Sequence, residues 1–187
     1  MIGIAIRVGA AIEKVGGSYF VGGSLASSLQ GEPRATNDID IVLELPAHRA
    51  EALRQELGKD FEVDVEMLRQ ALLTATSANI FFLPLVTKID LFALGSTPFD
   101  ASEFMRRKKI PVRGDESLVI KSAEDTVLRK LLWFREGGGV SEKQWRDVVE
   151  VLRVSGPEID ESYLESWAAR LQLDQLLQKA QAEAAGR

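Results

Sequence analysis

The sequence contains no cysteine and a single histidine, His48, among its 187 residues. Without cysteine the chain forms neither disulfides nor thiolate metal sites. A zinc site that needs two or three imidazoles cannot be built from one histidine. Any metal ion must therefore be held by oxygen ligands, which suits Mg²⁺ or Mn²⁺.

Long hydrophobic runs are also missing. The longest, Ile80 to Val86, is too short to span a bilayer and contains Pro84. Residues 1–17 lack the basic start and apolar run of a signal peptide, so we expect a cytoplasmic protein without a membrane partner. The net charge of −5 argues against a general nucleic-acid coat, and the 45% hydrophobic content is typical of a globular fold.

The distribution of periodicities predicts an α/β fold. Up to about residue 98, short alternating segments are interleaved with helical spacing, which indicates a short mixed β-sheet backed by helices. Residues 99–120 are predicted to be a basic linking segment. Residues 121–187 carry capping patterns followed by leucine-rich helical spacing and are predicted to form a helical C-terminal subdomain. The predicted boundaries are thus 1–98, 99–120 and 121–187.

Three aspartates in strand-like segments are the strongest candidates for chemistry. Asp38 and Asp40 are two residues apart, so a strand projects them on one face with backbones roughly 6.6 Å apart. Asp90 lies in a second such segment, and an adjacent strand would bring it beside the first two. Clustered carboxylates repel one another unless cations neutralise them. These residues are therefore predicted to bind one or two divalent ions.

A glycine-rich turn precedes the aspartates. Gly22 and Gly23 end a predicted strand, and Ser24 is predicted to be the N-cap of the following helix. Glycines allow close approach of a phosphate, and a helix start offers N–H groups and a positive dipole end. The Ser24 hydroxyl can donate to the β- or γ-phosphate. We therefore predict that this turn binds a nucleoside triphosphate.

At these residues the chain resembles the nucleotidyltransferase superfamily of the DNA polymerase β type. The signature of that family is Gly-Gly/Ser near a helix start, then Asp-x-Asp, then a third acidic residue on a separate strand. The run from Arg34 to Asp40 is similar to the Arg-x-Thr-x-Asp-hydrophobic-Asp variant of small bacterial members. In this chain Arg34 would either orient a phosphate or hold the loop before Asp38.

The resemblance continues into the helical half. Residues 124–131 and 144–148 are similar to the region downstream of the catalytic domain in nucleotidyltransferase toxins of abortive-infection systems and their bacterial relatives. In that group a lysine and a later aspartate lie near the active site, which makes Lys130 and Asp147 further nucleotide-site candidates. Alternatively, Lys130 extends to water beside the core and Asp147 pairs with a neighbouring arginine.

The resemblance implies a metal-dependent enzyme that transfers a nucleoside monophosphate from an NTP such as ATP to an acceptor hydroxyl, releasing pyrophosphate. Asp38, Asp40 and Asp90 would bind the metal, and Asp90 would also help to deprotonate the acceptor. Two alternatives stay open. In the first, the chain is a catalytically inactive nucleotide-binding module with a regulatory or assembly role. In the second, it is a toxin that nucleotidylates tRNA or protein and is paired with an antitoxin. The sequence does not distinguish tRNA, protein and small-molecule acceptors.

Overall fold

The computed structural model of the protein describes residues 1–33 and 35–186, apart from the side chain of Pro157. The α-helices are Ile2–Lys14 (α1), Gly23–Gln30 (α2), Ala50–Leu57 (α3), Val65–Thr74 (α4), Pro98–Arg106 (α5), Ala123–Glu136 (α6), Glu142–Ser155 (α7), Glu161–Leu171 (α8) and Asp174–Ala185 (α9). The strands are Ser18–Val21 (β1), Ile39–Glu44 (β2), Phe61–Val63 (β3), Ser77–Phe82 (β4), Thr87–Ala93 (β5), Lys108–Arg113 (β6) and Glu116–Ile120 (β7). Within the described residues, no helix combines the length and apolar character needed to cross a membrane.

The chain divides into two compact units. The first comprises Met1–Leu25 and Thr36–Lys121, and the second comprises Ala26–Ala35 and Ser122–Arg187, as far as these residues are described. The predicted α/β architecture with a helical C-terminal part is confirmed. Residues 99–120, which we expected to link the two parts, instead form most of α5 and the strands β6 and β7.

The first unit contains a seven-stranded mixed sheet in the order β3-β4-β5-β2-β1-β7-β6. The pairs β2–β5 and β1–β7 are parallel, whereas the other neighbours are antiparallel. Strand β6 is an edge strand, which tolerates Pro111 because one row of its backbone N–H groups has no ladder to join. The basic residues of β6 therefore lie on an edge of the sheet.

The two faces of this sheet differ. Tyr19 packs against Gly9 of α1, while its neighbour Phe20 stacks on Phe104 of α5 with ring centroids 5.9 Å apart. Successive strand residues point to opposite faces, so α1 and α5 cover opposite faces of the sheet. On the α1 face, the central strands β2 and β5 carry fully buried aliphatic side chains that form the core. These are Ile39, Ile41, Leu43, Ile89 and Leu91.

The second unit is helical, with α7 packed against α6 and α9, and α8 against α6 and α9. Ser122 and Ser141 begin α6 and α7 by accepting N–H donations from Asp125 and Gln144, at the positions where the sequence predicts caps. Each cap satisfies an N–H group that the first helical turn leaves without a partner.

Candidate active site

Asp40 and Asp90 are direct neighbours across the parallel pair β2–β5. Adjacent strands lie about 4.8 Å apart, and residues in register share a face, so these two carboxylates project side by side. Both are half-buried. They extend from the face opposite the buried isoleucines and leucines, so the core fixes the strands while the carboxyl groups reach solvent.

Asp38 lies immediately before β2 and is exposed. It precedes Asp40 by two residues, the spacing that returns a side chain to the same face. The Thr36 hydroxyl donates to the Asp38 carbonyl oxygen at 3.2 Å and tightens the turn into the strand. The first unit therefore places all three predicted aspartates at neighbouring positions.

Lys88 lies on the same face of β5, two residues before Asp90, and was not among the residues predicted from sequence. Its Nζ atom is 2.8 Å from Asp90 Oδ2. The hydrogen bond to Asp90 raises the pKa of Lys88, and the charges of Asp90, Asp38 and Asp40 act in the same direction against partial desolvation. The three carboxylates therefore act together on one positive charge.

The glycine turn packs directly on this cluster. The Gly22 N–H donates to the Asp40 carbonyl oxygen at 2.9 Å, which extends the β1–β2 ladder by one residue. Gly23 has φ +53°, and a Cβ atom built on it would fall 1.7 Å from Asp40 Oδ2. Only glycine fits at position 23, because any side chain there would collide with the Asp40 carboxylate.

Ser24 is placed differently from the sequence prediction. Helix α2 begins at Gly23, so Ser24 belongs to its first turn and is not its N-cap. The expected cap is wrong because glycine at φ +53° already turns the chain into the helix. Ser24 nevertheless remains at the start of α2, adjacent in the chain to the glycine that contacts Asp40.

A buried ion pair lies on the other side of the glycine turn. Lys121 Nζ is 3.2 Å from Glu103 Oε1, and both side chains are about 5% exposed or less. The Lys121 side chain also passes within 3.2 Å of the position that a Cβ atom on Gly22 would take. This pair was not predicted from the sequence, although the position of Lys121 directly after the apolar run 118–120 is a detectable signal.

Lys130 and Asp147 are buried in the second unit and bind each other. Lys130 Nζ donates to Asp147 Oδ2 at 2.8 Å and to Gln144 Oε1 at 2.9 Å, and Ser27 Oγ is 3.3 Å from the same aspartate oxygen. Asp147 also lines a cavity of about 190 Å³. Asp147 is thus paired with Lys130 inside the second unit.

Arg34 lies outside the described residues. Within residues 1–33 and 35–186, no three histidine, aspartate or glutamate side chains form a group that could hold a metal ion as they stand. The three aspartates nevertheless fit a hard divalent cation in donor type, because they are oxygen ligands and they already attract the Lys88 ammonium as a stand-in cation.

No protein-family model matches the chain, and no curated protein matches it in sequence. Solved structures do match it. The chain is similar to an antigenic nucleotidyltransferase-like protein from Paracoccidioides brasiliensis, with a TM-score of 0.58, 19% identity, and coverage of 96% of this chain and 92% of that chain.

It is similar also to the antibiotic-resistance factor ANT(2'')-Ia. The solution structure of that protein matches with a TM-score of 0.53 at 12% identity, covering 95% of both chains. Its crystal structure in complex with adenylyl-2''-tobramycin matches with a TM-score of 0.53 at 14% identity, covering 92% of this chain and 98% of that chain. The similarity in structure thus extends over nearly the whole length of this chain and of each matched chain. The chain has the nucleotidyltransferase fold.

Proposed function

We propose that the protein is a metal-dependent nucleotidyltransferase that moves a nucleoside monophosphate from an NTP to an acceptor hydroxyl. The observation that supports this most strongly is the register of Asp40 beside Asp90, with the Gly22–Gly23 turn packed on Asp40. The proposal is supported by the paired carboxylates of Asp40 and Asp90 and by the close approach of Gly23, at the start of α2, to Asp40. Such an arrangement suits a triphosphate held with Mg²⁺ or Mn²⁺.

The proposed chemistry assigns each residue a task. Asp90 accepts the proton of the acceptor hydroxyl, and the acceptor oxygen then attacks the α-phosphorus. The bond from the α-phosphorus to the bridging oxygen breaks, and pyrophosphate leaves. Asp38, Asp40 and Asp90 would hold the divalent cation, which would neutralise phosphate charge in the transition state.

The turn before α2 is proposed to bind the phosphates. The backbone N–H groups at Gly22 and Gly23 and the Ser24 hydroxyl donate to phosphate oxygens, where the helix dipole favours negative charge. Arg34, Lys130 and Asp147 stay in the proposal as nucleotide-site residues on the strength of the family resemblance. For Lys130, phosphate binding would compete with its present partners, Asp147 and Gln144.

The acceptor is the least constrained part of the reaction. Similarity in fold to a protein solved with adenylyl-2''-tobramycin makes a small-molecule hydroxyl the first acceptor class to test. A panel of aminoglycosides, bulk tRNA and protein substrates, each incubated with NTP labelled at the α-phosphate, distinguishes these classes. Label transfer to tRNA or protein, together with growth arrest on expression, would favour the toxin role over the small-molecule one.

The test of the function is calorimetric titration of the protein with each of the four NTPs, in Mg²⁺ and in EDTA. We expect binding that requires Mg²⁺ and is lost in an Asp38→Ala/Asp40→Ala variant. Glu44→Ala is the matched control, because Glu44 is an exposed carboxylate on the same strand and face as Asp40. Magnesium-dependent binding that survives the double substitution would contradict the proposed site, and binding without turnover on any acceptor would favour the regulatory module.

A further inference from the structure

Lys88 is an unexpected component of a site that would bind cations. It precedes Asp90 by two residues on β5, and Asp90 lies in register with Asp40 on β2. The lysine side chain is flexible, and at this position its ammonium is able to extend into solvent. Instead, Nζ is 2.8 Å from Asp90 Oδ2, with the side chains of Lys88 and Asp90 40% and 15% exposed.

The charge balance explains this placement. The carboxylates of Asp38, Asp40 and Asp90 repel one another, and one nearby ammonium offsets part of that repulsion. The Lys88 ammonium is 2.8 Å from Asp90, and Asp90 is in register with Asp40, so the ammonium lies beside the aspartate cluster. With Lys88 counted, the cluster carries a formal charge of −2, which one divalent cation neutralises.

We propose that Lys88 is a positioning residue that serves as the built-in cation of this cluster, holding Asp90 while no metal is bound and being displaced from it when a divalent cation binds. The inference rests on the proposed function, because it takes Asp90 as a metal ligand. It adds a specific consequence: the metal must compete with Lys88 for Asp90.

Competition predicts that removal of the ammonium tightens metal binding. The positive charge of Lys88 repels a divalent ion that approaches Asp90. The repulsion is modest because solvent screens the partly exposed pair. We expect Lys88→Met to lower the dissociation constant for Mn²⁺ by about threefold to fivefold, the upper part of the range that corresponds to exposed ion pairs, because Asp90 is largely buried. Lys88→Arg retains the charge, so its affinity should stay close to that of the unsubstituted protein.

The experiment is a Mn²⁺ titration of the nucleotide-free protein, followed by the electron paramagnetic resonance signal of free Mn²⁺. The variants are Lys88→Met, Lys88→Arg, Asp90→Asn and the double Lys88→Met/Asp90→Asn. Lys14→Met is the matched control, because it removes a lysine from another exposed ion pair, with Glu56, in the same unit. Circular dichroism checks that each variant is folded.

Tighter Mn²⁺ binding in Lys88→Met alone, absent in the double variant and in Lys14→Met, would support the inference. A merely structural lysine would not give a gain that depends on Asp90. If Asp90→Asn weakens Mn²⁺ binding while Lys88→Met changes it less than twofold, the role of Lys88 is overturned and the metal site stands. If no variant, including the unsubstituted protein, binds Mn²⁺ with or without a non-hydrolysable NTP analogue, both proposals are overturned.

Discussion

Asp40 Oδ2 occupies the space beside Gly23 that the Cβ atom of any other residue would enter, at a separation of 1.7 Å. Gly23 is therefore constrained twice, by its φ of +53° and by the carboxylate. Gly114 offers a comparison, because it has φ +54° but no atom within 4 Å of the corresponding position. The two glycines have nearly the same positive φ and differ in the atoms that surround them.

This contrast predicts the outcome of two alanine substitutions. Gly114→Ala incurs only the strain of the left-handed conformation, about 1–2 kcal/mol. At this chain length that lowers the thermal midpoint by roughly 2–8 °C. Gly23→Ala incurs the same strain and also displaces the Asp40 carboxylate, so we expect a larger fall and loss of Mg²⁺-dependent NTP binding. Equal thermal midpoints and intact binding in both variants would contradict the packing described for Gly23.

Asp40→Asn tests the proposed metal ligand with the least change in shape. The amide retains the size of the carboxylate and removes its charge, so the fold should persist while metal affinity falls. Loss of groups that merely support a metal ligand weakens affinity or activity by about 10–100-fold, so loss of a ligand should lower transfer by at least about 100-fold. Initial rates with labelled NTP measure this, with Glu44→Gln as the charge-removal control. Full activity in Asp40→Asn would exclude the assignment.

Lys121 and Glu103 are predicted to depend on each other for stability. Removing one member of a buried pair leaves an uncompensated charge, which costs about 3–5 kcal/mol. Lys121→Met and Glu103→Leu should each be strongly destabilising, whereas the double variant should recover part of the loss because no charge stays buried. Urea denaturation of the four proteins gives the coupling free energy. Additive single effects would show that the two residues act independently.

Lys130 is predicted to have both a structural role and a role with nucleotide, and the two can be separated. Lys130→Met alone leaves Asp147 buried without its cation and should destabilise the fold by about 3–5 kcal/mol. Lys130→Met/Asp147→Leu should restore part of this stability. If Lys130 binds phosphate, the Michaelis constant for NTP stays raised in the restored double variant. A double variant with normal stability and normal kinetics would remove Lys130 from the site.

Much of the architecture was predictable because it depends on local patterns. Ile4, Val8, Ala11 and Ile12 recur at helical spacing and are buried in α1. The alternation around Asp40 likewise predicts β2, whose buried positions are the isoleucines and leucine of the sheet core. A period of two or of 3.6 residues needs no partner from elsewhere in the chain to be detected.

The remainder depends on partners that are distant in sequence. Strands β6 and β7 were not predicted from the sequence. Strand β6 is an edge strand with lysines, an arginine and Pro111, and none of its residues is buried. The spacing of Asp38 and Asp40 predicts a shared face, but the register that sets Asp90 beside Asp40 is fixed by packing between strands. The same holds for the Lys121–Glu103 pair, in which Lys121 directly follows β7 and Glu103 belongs to α5.

The parallel pairing of β2 with β5 has a consequence for the order of events during folding. Helix α3, strand β3, helix α4 and strand β4 all intervene between the two strands in the chain. Closing so long a loop carries an entropy cost that the pairing must first overcome, so contacts of this kind form late. Asp40 and Asp90 become neighbours only when β2 and β5 pair. The proposed cation site therefore cannot form on a chain still emerging from the ribosome until β5 has been synthesised and has joined the sheet.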